Sequence, residues 1–374
     1  MLLNALLNSG DRHYIPRMPR LLLHIGQPKT GTTTLQHQLH RQAETLLARG
    51  ILYPATAQDW EQHSVLIPYL TGVETHTADC HFPAHWPGDG IAETSQLFWK
   101  GVRSQIRASR PDLVILSGEG FFTLQQPVRL RRMGRALGQA FDRIDVLAYL
   151  RSPQSLFASN YQQSLKMRGI AVRPRVQYYR PALEAYAAHG PGPLTLRRFA
   201  RADLAGGDIV TDFASTFCPG LVSEPEKDLN QSFSAEALWV LESLAALRNT
   251  EGAPGEPDTP WEELASLVHE ADCRLPGREA PRLTDSAREL ALVTCADVAW
   301  LRDAHDLVFA DVDYDRAGTR PELPDTILPV DEVFHVDHAR AEAVLEQMRN
   351  TASQPGGLLG KLQSGLRRTM RKAF

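Results

Sequence analysis

Apolar runs and helical repeats alternate along residues 20–220 of the chain. Continuous apolar runs predict buried strands at residues 21–26, 113–117 and 144–150, and GPLTLRRF predicts a further strand. Apolar residues at helical spacing predict helices over residues 32–50, 91–109, 127–141 and 152–169 and within GDIVTDFASTFC. Strands that alternate with helices indicate the α/β class, with a P-loop-type parallel sheet of about four or five strands flanked by helices.

Beyond about residue 230 the pattern predicts helices only, at residues 234–249 and 284–303, with a Gly/Pro-rich connection at residues 251–260. We therefore expect one α/β domain over residues 18–350, with its sheet core at 20–220 and a helical part at 230–350. Residues 1–17 precede the first strand and predict an extension with few core contacts. Residues 351–374 form a basic tail.

The composition allows a sizeable core and argues against some partners. The chain has 374 residues, 43% of them hydrophobic, and a formal net charge of −4. A general nucleic-acid binder usually has a basic surplus, so we expect no nucleic-acid partner and only a local anion site. No apolar run reaches the roughly 18 residues of a membrane span. Four widely spaced cysteines predict reduced thiols in a cytoplasmic protein rather than disulfides or a zinc site: Cys80, Cys218, Cys273 and Cys295.

The tail has the pattern of a basic amphipathic helix. Its cations occur without an acid, and its apolar residues fit one helical face: Lys361, Arg367, Arg368, Arg371 and Lys372, with Leu359, Leu362, Leu366 and Met370. Such a helix can lie on a membrane surface or a partner, which would make the protein peripheral to a membrane. The alternatives are a helix docked on its own domain and a frayed end.

The segment LLLHIGQPKTGTTTLQ, residues 21–36, predicts a strand, a glycine-framed loop and a helix start. Gly26 and Gly31 have the spacing of the Walker pattern G-x-x-x-x-G-K-[ST], but Thr32 follows and the only lysine is Lys29. Loop amides and the helix dipole favour an anion at such a place. Lys29 adds charge, and three hydroxyls add donors: Thr30, Thr32 and Thr33.

A second strand end offers another anion-binding element. In YLRSPQSLFASNY, Arg151 ends the third strand and Ser159 follows eight residues later on the next helix. The carboxyl ends of parallel strands meet at one edge of a sheet, and a guanidinium suits a terminal phosphate. The two elements together indicate a ligand with two separated phosphate groups.

PKTGTTTLQ followed by RSPQSLFASNY resembles the pair of phosphate-binding elements of sulfotransferases that use 3′-phosphoadenosine 5′-phosphosulfate (PAPS). LRRFARADLAGGDIVTDFASTF and LNQSFSAEALWVLESLAALRN are similar to later segments of bacterial, carbohydrate-type members, so the resemblance spans residues 20–310. It implies PAPS as donor, 3′-phosphoadenosine 5′-phosphate (PAP) as product and no metal. It assigns Arg151 and Ser159 to the 3′-phosphate and the loop to the 5′-phosphosulfate: Gly26, Lys29, Thr30, Gly31, Thr32 and Thr33.

The sequence departs from the family pattern at two points. Thr34 stands where cytosolic members often have a tryptophan, and the later R-K-G motif has no clear match. Arg278 and Arg282, in LPGREAPRL, are candidates for a late basic contact. These departures favour the bacterial and Golgi-like branch over enzymes for small phenols and steroids.

Sulfuryl transfer needs a base that takes the acceptor's proton. Glu119, just past the second strand, stands where similar enzymes carry a Glu or His base, and a solvated strand-end carboxylate is the alternative. His63 is the second candidate, as base or as acceptor contact. Lys29 is expected to neutralise the leaving phosphate. A metal interpretation of His76, Cys80, His81 and His85 is disfavoured because their spacing fits neither H-E-x-x-H nor a paired zinc finger.

The sequence therefore predicts a PAPS-dependent sulfotransferase whose acceptor carries a hydroxyl on a carbohydrate or related metabolite. A P-loop kinase of a nucleotide or small molecule is the first alternative, disfavoured because the Walker lysine and a clear Walker-B aspartate are missing. A non-catalytic nucleotide-binding module is the second. The combination of Lys29, Arg151 and Glu119 argues against it.

Overall fold

The structure, a computed structural model of the chain, describes residues 18–55, 61–73, 90–171, 178–224, 232–250, 261–319 and 327–352. The predictions for residues 1–17 and for the basic tail lie outside these residues, as do those for His76, Cys80, His81 and His85. The chain divides into two compact units. Unit 1 comprises Met1–Tyr149, Pro181–Arg197 and Arg201–Glu224, and unit 2 comprises Leu150–Arg180, Arg198–Ala200 and Pro225–Phe374.

Unit 1 is built on a five-stranded parallel sheet, which confirms the α/β class and the expected number of strands. The strand order is β2-β3-β1-β4-β5, with β1 Arg20–His24, β2 Ile51–Leu52, β3 Leu113–Ser117, β4 Arg143–Leu150 and β5 Leu194–Arg198. The central strand β1 pairs with β3 and β4, so that His24 lies beside Ser117 and Leu147. Its apolar residues are buried because helices cover both faces of such a sheet.

Seven helices of unit 1 flank the sheet within the described residues: α1 Thr32–Arg41, α2 Ala43–Leu47, α3 Ile67–Thr71, α4 Ile91–Ser109, α5 Pro127–Gly138, α7 Arg180–His189 and α8 Ile209–Thr216. Short 3₁₀ segments cover Ser64–Leu66, Glu119–Thr123 and Ala205–Gly207. Asp208 caps α8 by accepting hydrogen bonds from two backbone amides, Val210 N and Thr211 N. Unit 1 thus presents the strand ends and their loops at one edge of its sheet.

The predicted helix over residues 32–50 is broken at Gln42. The Gln42 side chain donates to the carbonyl of Val222 at 2.7 Å and accepts from its amide at 3.0 Å. These bonds join distant parts of the chain, so the local sequence pattern could not predict them. The two-residue strand β2 follows this break and is too short to show a period. Residues 64–71 are helical, although the sequence reads as irregular there.

Unit 2 is helical and begins with α6 Pro153–Arg168, which has the predicted N-cap Ser152 and Pro153 in its first turn. Its other helices are α9 Ala235–Thr250, α10 Trp261–Arg274, α11 Asp285–Val293, α12 Asp297–His305, α13 Val330–Val333 and α14 His338–Ala352. The helix predicted over residues 284–303 is two helices, α11 and α12. One apolar cluster joins α6, α9, α10, α11, α13 and α14, and its buried residues include Tyr161, Leu238, Val268 and Phe334. Within the described residues, no helix is long and apolar enough to cross a bilayer.

Candidate functional site

The loop after β1 is held by β4 before it turns. Gln27 donates its amide to the carbonyl of Tyr149 at 3.0 Å, and Tyr149 donates back to the carbonyl of Gly26 at 2.8 Å. The ladder between the two strands therefore continues past His24 and fixes the first half of the loop. Gly26 has φ of 100°, and a Cβ there would lie 3.4 Å from the Cα of Glu119. Glycine thus allows the loop to pass close to the end of β3.

The second half of the loop carries a lysine in an unusual backbone conformation. Lys29 has φ of 72°, the left-handed region that non-glycine residues seldom adopt, and Gly31 has the same φ. The other two described non-glycine residues with positive φ, Arg110 and Asp306, are helix C-caps, where this conformation is common. Lys29 lies instead before a helix, and left-handed residues on either side of Thr30 are typical of loops that turn their amides toward an anion.

The start of α1 completes the loop. Its N-cap is Gly31, no side chain caps the helix, and its first turn contains no acid. The first amides of an uncapped helix, together with its dipole, favour a negative charge. The three threonines have different surroundings. Thr30 is buried and donates to the carbonyl of Gln27 at 2.6 Å, Thr32 is buried and donates to Glu119, and Thr33 is exposed.

Glu119 lies directly beside this loop. It is half-buried at the start of the 3₁₀ turn that follows β3, and its Oε1 accepts the hydrogen bond from Thr32 Oγ1. The structure thus brings together the loop and the carboxylate that the sequence predicts as the base. Both belong to unit 1.

His63 supports the segment before Glu119 from one side. It is fully buried, its Nδ1 accepts from the amide of Ser117 at 3.1 Å, and its Nε2 donates to the carbonyl of Pro54 at 3.1 Å. Its own amide donates to the carbonyl of Ser117 at 2.7 Å. Burial lowers the pKa of His63 to about 4, so the ring is neutral near pH 7. This arrangement favours a structural role over the predicted roles as base or acceptor contact.

His24 and Gln36 support Ser117 from the other side. The Ser117 hydroxyl lies 2.8 Å from His24 Nδ1 and accepts from Gln36 Nε2 at 3.1 Å. Burial also lowers the pKa of His24 to about 4. The amide of Gly118 donates to the carbonyl of His24 at 3.0 Å, and a Cβ on Gly118 would lie 2.6 Å from Ser64 Oγ. The backbone that presents Glu119 is therefore held by neutral, buried groups.

A second buried network holds the part of β4 that pairs with the loop. Tyr149 donates its hydroxyl to Asp212 at 2.7 Å, and Arg197 donates two hydrogen bonds to the same carboxylate, at 2.8 and 2.6 Å. Burial alone would raise the pKa of Asp212, but the bonds from Arg197 and Tyr149 lower it. An ionised Asp212 thus fixes the tyrosine whose backbone bonds to Gly26 and Gln27.

The second predicted element belongs to unit 2. Arg151 directly follows β4, donates from Nε to Ser155 Oγ at 2.7 Å, and its guanidinium lies 5.2 Å from the ring centre of Phe199. Ser159 is half-buried one helical turn beyond Ser155 on α6. Arg151, Ser155 and Ser159 therefore follow one side of the first turns of α6, and Ser155 is a residue that the motif R-x-P-x5-S does not specify.

The two late arginines have different surroundings in unit 2. Arg278 donates to the fully buried Asp272 at 3.1 Å and to the carbonyl of Ser232, so its guanidinium belongs to a structural ionic network. Arg282 is exposed. In the part of the chain that the structure describes, no three His, Cys, Asp or Glu side chains come together as a metal site.

The polar cluster around Ser117 was missed in the sequence, although a signal exists. His24 lies within an otherwise apolar run and Ser117 ends another, and a buried polar residue requires a partner. The pairing itself joins residues 93 positions apart and cannot be derived from spacing.

A scan against models of protein families finds no match to this chain, and a search of curated proteins finds no significant relative.

Proposed function

We propose that the protein is a PAPS-dependent sulfotransferase that moves a sulfuryl group to a hydroxyl of a carbohydrate or related metabolite. The observation that carries this proposal is the loop after β1, where Lys29 has a left-handed backbone beside an uncapped helix start and next to Glu119. A phosphosulfate needs a cation at its bridging oxygen and a base on the opposite side of the sulfur. The loop and Glu119 are the groups of unit 1 that can supply both.

The donor would supply the sulfuryl group, and the side chains of this protein would do the rest. Glu119 accepts the proton of the acceptor hydroxyl as its oxygen bonds to sulfur. The bond from sulfur to the bridging oxygen breaks, and its electron pair leaves with PAP. Lys29 and the first amides of α1 stabilise the charge that grows on the departing phosphate. Thr32, bonded to Glu119, orients the base toward the loop.

The 3′-phosphate is assigned to Arg151 and Ser159 by the resemblance of R-x-P-x5-S to the family motif. The bond from Arg151 to Ser155 supports this assignment, because it holds the guanidinium along the first turn of α6, next to the position of Ser159. Burial lowers the pKa of Arg151, but an arginine stays charged at neutral pH. A fixed, half-buried guanidinium is suited to a terminal phosphate.

Two features argue against a kinase that uses Mg²⁺ and a nucleoside triphosphate. The position of the Walker lysine is occupied by Thr32, whose hydroxyl is bonded to Glu119. The lysine of this loop is three residues earlier, at the turn rather than at the helix start. A phosphosulfate has its leaving oxygen one bond from the 5′-phosphorus, which favours a cation within the turn.

Calorimetry and a transfer assay test the proposal. We expect the chain to bind PAP without Mg²⁺ and more tightly than ATP, and to transfer label from ³⁵S-PAPS to a member of a panel of glycans, lipids and phenols. Lys29→Ala should lower turnover more than PAP affinity. Mg²⁺-dependent ATP binding without PAP binding would support the kinase instead. PAP binding without transfer to any acceptor would support a non-catalytic nucleotide-binding module.

A further inference from the structure

Two helices of unit 1 share an exposed pattern in which an apolar side chain is followed by cations. On α4, Leu97 is 59% exposed, and on α5, Val128 is 61% exposed. Both residues are followed at helical spacing by exposed cations: Lys100, Arg103 and Arg107 on α4, and Arg131, Arg132 and Arg135 on α5. Each helix therefore presents one exposed stripe, which consists of an apolar side chain followed by three positively charged ones.

These six cations are not neutralised within the described residues, where none of them forms an ion pair with an acid. Arg131 Nη1 lies 3.4 Å from Nδ1 of His189, and the guanidinium of Arg132 packs over Gly72. α5 contains no acid, and α4 contains only Glu93, one turn before Leu97. Because the whole chain has a net charge of −4, this basic surface is a local concentration of charge.

The two stripes belong to the same side of the sheet. α4 leads from β2 to β3 and α5 from β3 to β4, and both crossovers move in the same direction across the strand order. Right-handed crossovers in one direction place their helices on one face. α3 packs against both helices, and the ring of Trp99 on α4 lies 6.3 Å from that of Phe141, just after α5. We call this surface, formed by α4 and α5, the basic face.

We propose that the basic face docks on an anionic lipid surface. Cations near such a surface gain from its negative potential, and exposed apolar side chains beside them can enter the interfacial region. A soluble polyanion would use the charges but would leave Leu97 and Val128 in water. Two exposed apolar side chains within the basic stripes therefore favour a lipid surface over a nucleic acid or an acidic polysaccharide. This contact is independent of the transfer chemistry and of the basic tail.

Vesicle flotation of the full chain tests this contact. We expect binding to vesicles that contain about a third phosphatidylglycerol and little binding to phosphatidylcholine alone. The double substitution Arg103→Glu with Arg107→Glu should weaken binding at least about twentyfold, since each cation near an anionic surface contributes about fivefold. Leu97→Ser with Val128→Ser should weaken it about fivefold and make the remaining binding more sensitive to salt.

Matched controls separate this contact from overall charge and from other anions. Arg201→Glu with Arg288→Glu changes the net charge equally, at two exposed arginines outside α4 and α5, and should leave vesicle binding within twofold of the wild type. Circular dichroism should show unchanged melting for all variants. Vesicle binding that is unaffected by the α4 and α5 substitutions would overturn the proposal, since another segment would then carry it. Binding to soluble heparin without binding to anionic vesicles would also overturn it.

Discussion

The polar cluster that ends β3 in unit 1 and the ionic cluster that joins three helices of unit 2 are built from different groups. In unit 2, the fully buried Asp272 on α10 accepts from Ser234, Arg278 and Arg340, and Arg340 on α14 also pairs with Glu236 on α9. Two acids and two arginines balance one another there. In unit 1, the groups that hold the backbone below Glu119 are neutral near pH 7, because burial lowers the pKa of His24 and His63 to about 4.

We propose that this difference separates a network that stabilises unit 2 from a support that serves the proposed transfer reaction in unit 1. The acids of the unit 2 cluster are paired with arginines, so these charges are already neutralised and would attract a charged ligand only weakly. The neutral support in unit 1 fixes the position of Glu119 and places no opposite charge beside it. Lys29 and Glu119 lie at the edge of that support and are half-buried. Preorganised groups of this kind would suit the proposed transfer reaction.

The largest effect is expected from Glu119→Gln, which tests whether the carboxylate held by the unit 1 support is the base. Glutamine keeps an oxygen that can accept from Thr32, but it cannot take the acceptor's proton. We expect turnover in the ³⁵S transfer assay to fall by about 10²- to 10⁴-fold, with PAP affinity and melting unchanged. Glu61→Gln, at a half-exposed carboxylate that bonds to His37, is the matched control and should retain activity. Near-normal transfer by the Glu119 variant would show that another group acts as the base.

The next effect concerns the ionic cluster of unit 2. Asp272→Ala leaves Arg278 and Arg340 without their buried carboxylate, and removal of one partner from a buried ion pair costs about 3–5 kcal/mol. We expect this loss in the free energy of unfolding from urea titration. Glu270→Ala, at an exposed carboxylate on the same helix, should change it by less than about 1 kcal/mol. Equal effects of the two substitutions would show that the Asp272 cluster contributes no special stability to unit 2.

The local features of the fold were predictable and the long-range ones were not. The bounds of β3 and the N-cap Ser152 agree with the sequence, because a buried apolar run and a Ser-Pro pair determine them locally. The break at Gln42 depends on bonds to Val222, 180 positions away. The candidate site divides in the same way. The loop 26–33 follows from spacing, but the role of His63 depends on its bonds to Ser117 and Pro54.

The pH dependence of the free energy of unfolding tests whether the groups that support the backbone below Glu119 are neutral. His24 and His63 have pKa values near 4 in the folded state and about 6.5 when unfolded, so the unfolded chain binds more protons between these values. Each histidine should therefore remove about 3 kcal/mol of stability as the pH falls from about 6.5 to 4. His63→Asn should reduce this slope by about half, because the asparagine does not titrate.

The matched control is His305→Asn, at an exposed histidine outside the support, which should leave in place the loss of stability attributed to His24 and His63. Urea titrations at several pH values measure both variants. A slope that is the same with and without His63 would show that this ring is already charged or exposed in solution, and would argue against a neutral support below Glu119.

The smallest effect compares two left-handed residues. Glycine adopts φ near 72° without the steric cost that Lys29 meets, although it adds entropy to the unfolded chain, so Lys29→Gly should raise stability by about 0.5 kcal/mol. Arg110→Gly, at the C-cap of α4 with φ of 50°, should give a similar gain. Only the Lys29 variant should lose transfer activity. These results would mean that the backbone strain at Lys29 is retained because transfer needs the lysine's charge. A loss of activity in both variants would instead indicate a general effect of backbone flexibility.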